Sequence, residues 1–248
     1  MKKGILGLVL FFAVSFLGLK AAYPATIELD VSAGADISNA YVWRGITFND
    51  EGVIQPYLDV SHPTIGLGFN VWGNFDLGDF DGAVESAEFS EVDLTFYYNV
   101  PIKIFDLSVG YIEYLFPNAG ALNTGEIYIS AGKELFGGLS AGAAVYFDVD
   151  EVKGVYGNVN LSYSIPVSEK FSVDVGAAMG IADSDFAASA GGTDSGLFDY
   201  NLSLTGSYSI TDRLSLGAFL KYTDSLDTDV LPAQITDIYG GASISYSF

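Results

Sequence analysis

The sequence predicts a transmembrane, up-and-down antiparallel β-barrel of about twelve strands. Three observations carry that expectation. Apolar and polar residues alternate with period two along most of the chain, the pattern of a strand whose two faces meet different environments. Connections between the alternating segments are short and long by turns. A segment laid out like a secretory leader opens a chain that is half apolar and 15% aromatic, yet carries a formal net charge of -21. Such acidity suggests disorder only where aromatics are scarce.

In the leader, Lys2 and Lys3 precede the apolar run from Gly4 to Leu19, and small residues follow at Ala21, Ala22 and Ala25. A signal peptide over residues 1–25, cleaved between 21 and 25, is expected, with a retained anchor helix as the alternative. Its removal takes away Lys2, Lys3 and Lys20 but no acid, so the remaining domain, 26–248, is more acidic still. Beyond Ala25 no apolar run is long enough for a spanning helix.

Alternating segments start near residues 27, 53, 65, 89, 103, 125, 138, 154, 170, 197, 213 and 237. Each can supply the roughly 9–11 tilted residues that cross a bilayer as a strand. In the first, Ile27, Leu29, Val31, Ala33, Ala35 and Ile37 form the outward row until Asn39 breaks it, where a bulge is expected. The third sets Ile65, Leu67, Phe69 and Val71 against Gly66, Gly68, Asn70 and Trp72. The fourth sets Val92, Leu94, Phe96 and Tyr98 against Asp93, Thr95, Tyr97 and Asn99. In the fifth, the row Leu107, Val109, Tyr111 leads to Glu113 in lipid, a cost of roughly 2 kcal/mol or less near an interface. A face-swapping bulge near Tyr111 is therefore expected.

The eighth segment opposes Val155, Val159, Leu161 and Tyr163 to Tyr156, Asn158, Asn160 and Ser162, and the ninth opposes Phe171, Val173 and Val175 to Ser172, Asp174 and Gly176. The tenth alternates most regularly, with Phe198, Tyr200, Leu202 and Leu204 outward against Asp199, Asn201, Ser203 and Thr205. In the last, Ile238, Ala242, Ile244, Tyr246 and Phe248 face out and Ser243, Ser245 and Ser247 face in. Tyr246 and Phe248 then belong to an aromatic girdle and resemble the terminal signal that outer-membrane proteins present to the barrel assembly machinery.

Short connections such as "HPT", "PVSEK" and "ITDR" alternate with long ones such as "GDFDGAVESAE" and "DSDFAASAGGTDSG". With an even strand number, both termini fall on the short-turn, periplasmic side of a Gram-negative outer membrane. A soluble sandwich or barrel has the same alternation, but twelve strands would leave a wide interior to fill with Gly, Ser and Asn. Apolar outside and polar inside needs lipid as the outer solvent.

The stretch "SNAYVWRGITFNDEGVIQPYLDVSH", followed by "GLGFNVWGNFDL", resembles the opening of the TorF-like porin family. The residues that carry it are Ser38, Asn39, Tyr41, Trp43, Arg44 and Gly45, then Gly66, Gly68, Trp72 and Gly73, with Ala40 inserted relative to the tighter family spacing. The resemblance covers about a quarter of the chain. It implies a porin-like role and brings no catalytic residues.

The chemistry open to such a barrel is narrow. Cysteine is absent, which excludes thiol catalysis, disulfides and cysteine-ligated metal. The one histidine, His62, falls in the short "SHPTI" turn, away from the outer rim where barrel hydrolases work, so no enzyme and no cofactor is expected. Inward positions carry Asp30, Asp36, Asp59, Asp93, Asp148, Asp174 and Asp199, with Lys221 and Arg44 as the basic exceptions. A lumen lined in this way favours cations. Lys221 and Asp199 fall on adjacent strands and are placed to pair, while Arg44 forms either one wall of a constriction or a rim salt bridge.

Acidic loops (Asp79, Asp81, Glu85, Glu88 and Glu91; Asp148, Asp150 and Glu151; Asp224, Asp227 and Asp229) lack the spacing of a calcium loop, so no metal site is expected. Lys103, Lys133, Lys170 and Arg213 sit by short turns, where they can meet lipid phosphates. No helix is evident after the leader, and no basic patch suits nucleic acid.

The expected function is passive passage of small hydrophilic solutes or ions, cations preferred, through the outer membrane. The alternative is a plugged structural or surface-interaction barrel with acidic loops that bind divalent cations. The expected partners are membrane lipid, the solutes and the assembly machinery. Oligomeric state leaves no mark in the sequence.

Overall fold

In the computed structural model, residues 28–80, 82 and 84–248 are described; residues 1–27, among them the leader and Ile27, and Asp81 and Ala83 lie outside them. Twelve strands close an antiparallel barrel. They are β1 (Asp30–Ser38), β4 (Val53–Ser61), β5 (Leu67–Asp76), β6 (Phe89–Val100), β7 (Asp106–Leu115), β8 (Thr124–Phe136), β9 (Leu139–Asp148), β10 (Val155–Pro166), β11 (Phe171–Ala182), β12 (Gly196–Ser209), β13 (Leu214–Ser225) and β14 (Ile238–Ser247). Each pairs with its neighbours in chain order, and β1 closes on β14 from Ser32 opposite Ser247 to Ser38 opposite Gly241. Closure satisfies every ladder and leaves no edge.

Between β1 and β4 the chain makes a separate hairpin, β2 (Tyr41–Trp43) and β3 (Ile46–Asn49), which pairs with no barrel strand. A six-residue helix, α1 (Ser184–Ser189), lies between β11 and β12. The sequence reading has no helix here. The local signal is present: Asp183 caps the helix by accepting from the Phe186 amide at 2.8 Å, and Ala and Ser follow.

The large apolar side chains of the barrel stand on its outside. Val159, Leu161, Val175, Leu202, Leu204, Leu220 and Ile244 are all exposed, an apolar belt wrapped around the wall. Their alternates, Ser162, Gly176, Ser203 and Ser243 among them, point in, as the strand pairings require.

The connections also separate as expected. Lys103, Lys133, Lys170 and Arg213 are at or beside the tight turns of one end, together with both termini of the described chain. His62 belongs to that end too, where its Nδ1 accepts from the Thr64 and Ile65 amides at 3.2 and 3.4 Å.

Four local expectations need correction. No register shift occurs in the pairings of β7 with β6 or β8, so Tyr111 and Glu113 stay on the outward row. Glu113 is two residues from the long-loop end of β7 and accepts from the Tyr111 hydroxyl at 2.5 Å, a partner that removes the need for a bulge. Nor is there a bulge at Asn39. The strand ends at Ser38, and Asn39 exchanges two bonds with Gly240: its amide donates at 3.1 Å, and its side-chain oxygen accepts from the Gly240 amide at 2.7 Å.

The register does shift between Met179 and Ile181, where Gly180 faces both Phe198 and Asp199. The extra residue turns Phe198, expected outside, into the interior, where it is fully buried. Finally, Asp199 and Lys221 do not pair. Asp199 is engaged by Tyr156 and Asn201, and Lys221 lies over the Phe219 and Tyr239 rings at 5.3 and 5.7 Å.

Candidate functional site

The interior divides into two regions. At the short-turn end a cavity of about 810 Å3 is lined by small and polar side chains, among them Asn99, Ser130, Ser140, Asn158 and Asn160, with Asp106, Lys133 and Glu134 as its charged members. The long-loop end is occupied by the β2–β3 hairpin, α1 and the segment before β14.

The hairpin turns at Trp43-Arg44-Gly45-Ile46, where Arg44 and Gly45 both have positive φ, 50° and 78°. That is the geometry of a two-residue turn whose twist suits the flanking strands. Glycine is required in the second place: a Cβ there would press on Asp199 and Leu231 as well as strain the backbone. Arginine in the first place gives up a little backbone strain and puts its side chain at the tip, across the lumen.

There it forms the dominant polar contact of the interior. Arg44 Nη1 and Nη2 donate to Glu126 Oε1 and Oε2 at 2.7 and 2.6 Å, a bidentate ion pair with side-chain exposures of only 8% and 2%. The Tyr114 hydroxyl adds a third bond to Glu126, at 2.8 Å. Around the guanidinium stand the rings of Trp43, Tyr146 and Tyr156, with centroids 4.1, 4.2 and 4.5 Å from Cζ. Burial works against the Arg44 charge, but the Glu126 carboxylate more than offsets it, so the guanidinium holds its proton above its ordinary value.

Apolar packing backs this pair. Tyr156, Phe186, Ala187, Phe198, Val230 and Leu231 form one buried cluster, against which Trp43 and Ile46 pack. Full burial of a side chain such as Phe198 or Leu231 contributes roughly 1.5–3 kcal/mol. The hairpin is also tied down at its edges. Tyr41 donates to Glu91 at 2.8 Å, Asn49 donates to Asp76 at 2.7 Å, and the Thr47 amide donates to Gln234 at 3.0 Å.

The expected lumen charges fall into three groups. Asp36, Asp93 and Lys221 line one cavity of about 300 Å3 alongside the hairpin. Asp59 accepts from Tyr97 at 2.9 Å and Asn70 at 3.3 Å, Asp174 stands on the inner row between Ser164 and Thr205, and Asp30 is exposed at the short-turn end of β1. Asp148 and Asp199 are buried in local structure. Asp148 Oδ1 accepts three turn amides at 3.0 Å, and Asp199 accepts from Tyr156 at 2.9 Å and Asn201 at 2.5 Å. A Cβ at Gly180 would strike both Asp199 and the Tyr156 hydroxyl, so Gly180→Val should lower thermal stability by about 1–3 kcal/mol through overpacking. An unchanged melting temperature would refute that.

Glu126, Tyr114 and Phe186 are absent from the sequence reading, which also puts Glu91 in a loop, whereas it is buried on β6. Parity alone brings Glu126 inside, two positions before Tyr128, but nothing local names Arg44 as its partner. Among the described residues no group of three or more acids and histidines is placed to hold a metal ion.

The architecture is similar to solved outer-membrane proteins. The KdgM porin in complex with disordered oligogalacturonate aligns with TM-score 0.53 and 12% identity over 88% of this chain and 99% of that one. The NanC porin aligns with 0.55 and 10% over 88% and 100%. An outer membrane channel from Pseudomonas putida F1 aligns with 0.52 and 13% over 92% and 100%. At these identities the likeness is one of fold. No curated protein matches the sequence. A family model described as "Bacterial protein of unknown function (Gcw_chp)" matches residues 21–224.

Proposed function

The chain belongs to the Gcw_chp family, and we propose that it is a porin-like channel of the bacterial outer membrane, with long loops outside and termini in the periplasm. It passes small hydrophilic solutes or ions by passive diffusion and prefers cations. The observation that carries this reading is the closed barrel with an apolar outer belt around an interior of Ser, Asn and Asp. Such a wall is matched to lipid on one side and water on the other. The porin-like part is also what the TorF-like resemblance of residues 38 to 73 implies. No catalytic group is assigned.

Selectivity follows from the inner rows. A polyanion of the kind held by the KdgM structure would meet Asp36, Asp59, Asp93 and Asp174 here, with Lys221 beside the first of them and Lys133 at the short-turn cavity. Cations are drawn in by the same field. The passage they take runs past the hairpin, whose Arg44 is neutralised by Glu126.

Planar-bilayer recording tests the reading. Discrete steps are expected, with a reversal potential in a KCl gradient on the potassium side. Absence of steps or a chloride-side reversal overturns it. The apolar cluster behind the hairpin favours one second reading, a barrel closed for good that presents its acidic loops as an interaction surface. That reading predicts no steps at any voltage.

A further inference from the structure

Two opposite charges of the lumen stand near each other without meeting. Asp36 on β1 and Lys221 on β13 flank β14, opposite Ser243 and Tyr239 respectively, and both line the cavity of about 300 Å3 beside the hairpin. Each lies in the other's field, yet among the described residues neither head group has an ion pair or a hydrogen bond. The reason lies in the row between them. There Gly241 of β14 pairs with Phe219, whose ring covers it so closely that a Cβ on Gly241 would come within 2.8 Å. That ring keeps the two charges apart, and the Lys221 ammonium rests over it and over Tyr239 instead. Both Asp36 and Lys221 are half-buried, so each gives up part of its water without gaining a partner in the protein.

The other acid of the lining is engaged. Asp93 shares a side-chain hydrogen bond with Glu91, which also accepts from Tyr41. Tyr41, Trp43 and Trp72 contribute further rings to the wall.

We propose that this cavity binds a small α-amino acid as its zwitterion, with the ammonium against Asp36, the carboxylate against Lys221 and an apolar side chain among the rings of Tyr41, Trp43 and Trp72. A molecule that carries both charges completes two charge-assisted hydrogen bonds at once. A simple cation that reaches Asp36 is left beside Lys221, and a simple anion at Lys221 is left beside Asp36, so each meets attraction and repulsion together. Apolar walls with a few convergent polar groups are the usual form of a small-molecule site.

The site names a solute for the proposed channel and rests on that reading for the route by which the amino acid arrives. Its test needs no current. Trp43 and Trp72 are the only tryptophans of the chain and both line the cavity, so their fluorescence reports occupancy of the full-length protein in uncharged detergent micelles.

Titration with L-leucine should give a saturable change in emission. Isopentylammonium is leucine without its carboxylate, and isocaproate is leucine without its ammonium. Each should bind at least about tenfold more weakly than leucine, the factor expected when a charged hydrogen bond is lost. Lys221→Met, which keeps the length of the stem, and Asp36→Asn should each weaken leucine binding by a similar factor. No saturable change with leucine, equal binding of either half-molecule, or unchanged leucine binding in either variant would each overturn the site, whatever the bilayer recording shows. The comparison of the three ligands on the unaltered protein keeps the test decisive even where a variant fails to fold.

Discussion

Arg44→Ala is expected to release the hairpin from the barrel wall and to raise the single-channel conductance. The substitution removes one partner of a buried bidentate pair and leaves Glu126, only 2% exposed, without its counter-charge. Breaking such a pair from one side costs about 3–5 kcal/mol, most of it the penalty of the stranded charge. It also empties the space among Trp43, Tyr146 and Tyr156, so the aromatic wall loses the group it was packed around.

Two measurements check this. Urea unfolding in detergent should show a lower midpoint, and bilayer recordings should show larger or noisier steps than the unaltered protein. The double change Arg44→Met with Glu126→Met should recover much of the stability, because it strands no charge and leaves apolar side chains among rings. An Arg44→Ala protein with the unfolding midpoint and step size of the original would mean that the hairpin is held by the apolar cluster alone.

Deletion of Phe248 is expected to reduce the amount of folded barrel in the outer membrane several-fold. The Phe248 amide donates to Val31 at 3.0 Å, the last bond of the seam where β14 meets β1, and its ring stands edge-on to Tyr246 with centroids 5.0 Å apart. The ring itself is 60% exposed on the outward face. Its burial within the chain therefore contributes little, so a large loss would have to come from insertion and closure of the seam. Cell fractionation and heat-modifiable gel mobility measure it. Phe248→Ser tests the same point while keeping the backbone bond. Full membrane levels for both variants would rule out an assembly role for this residue.

The wall of the barrel could be read from the residues because period two is a local property. Each of Val159, Leu161 and Tyr163 declares its side of the sheet by its distance from its neighbours, and twelve such segments with alternating connection lengths leave little choice of topology. The exceptions have local causes that a pattern does not carry. Glu113 stays outward because Tyr111, two residues away on the same row, supplies a hydroxyl. Phe198 goes inward because the pairing slips at Gly180, and only glycine lets Asp199 and Tyr156 meet there.

The hairpin was hidden for a different reason. "AYVWRGITFN" alternates like the strand before it, so it reads as more of β1 and a loop. What separates it is Asn39 closing on Gly240 from 201 residues away, then Arg44 reaching Glu126 across a separation of 82. Alternation and connection length together thus point to the antiparallel barrel and its strand count, since each follows from residues a few positions apart. How the interior is filled, which acids stay free and where a solute can rest depend on contacts between distant segments. Those contacts leave no period in the chain and are chosen by the space that the closed barrel provides.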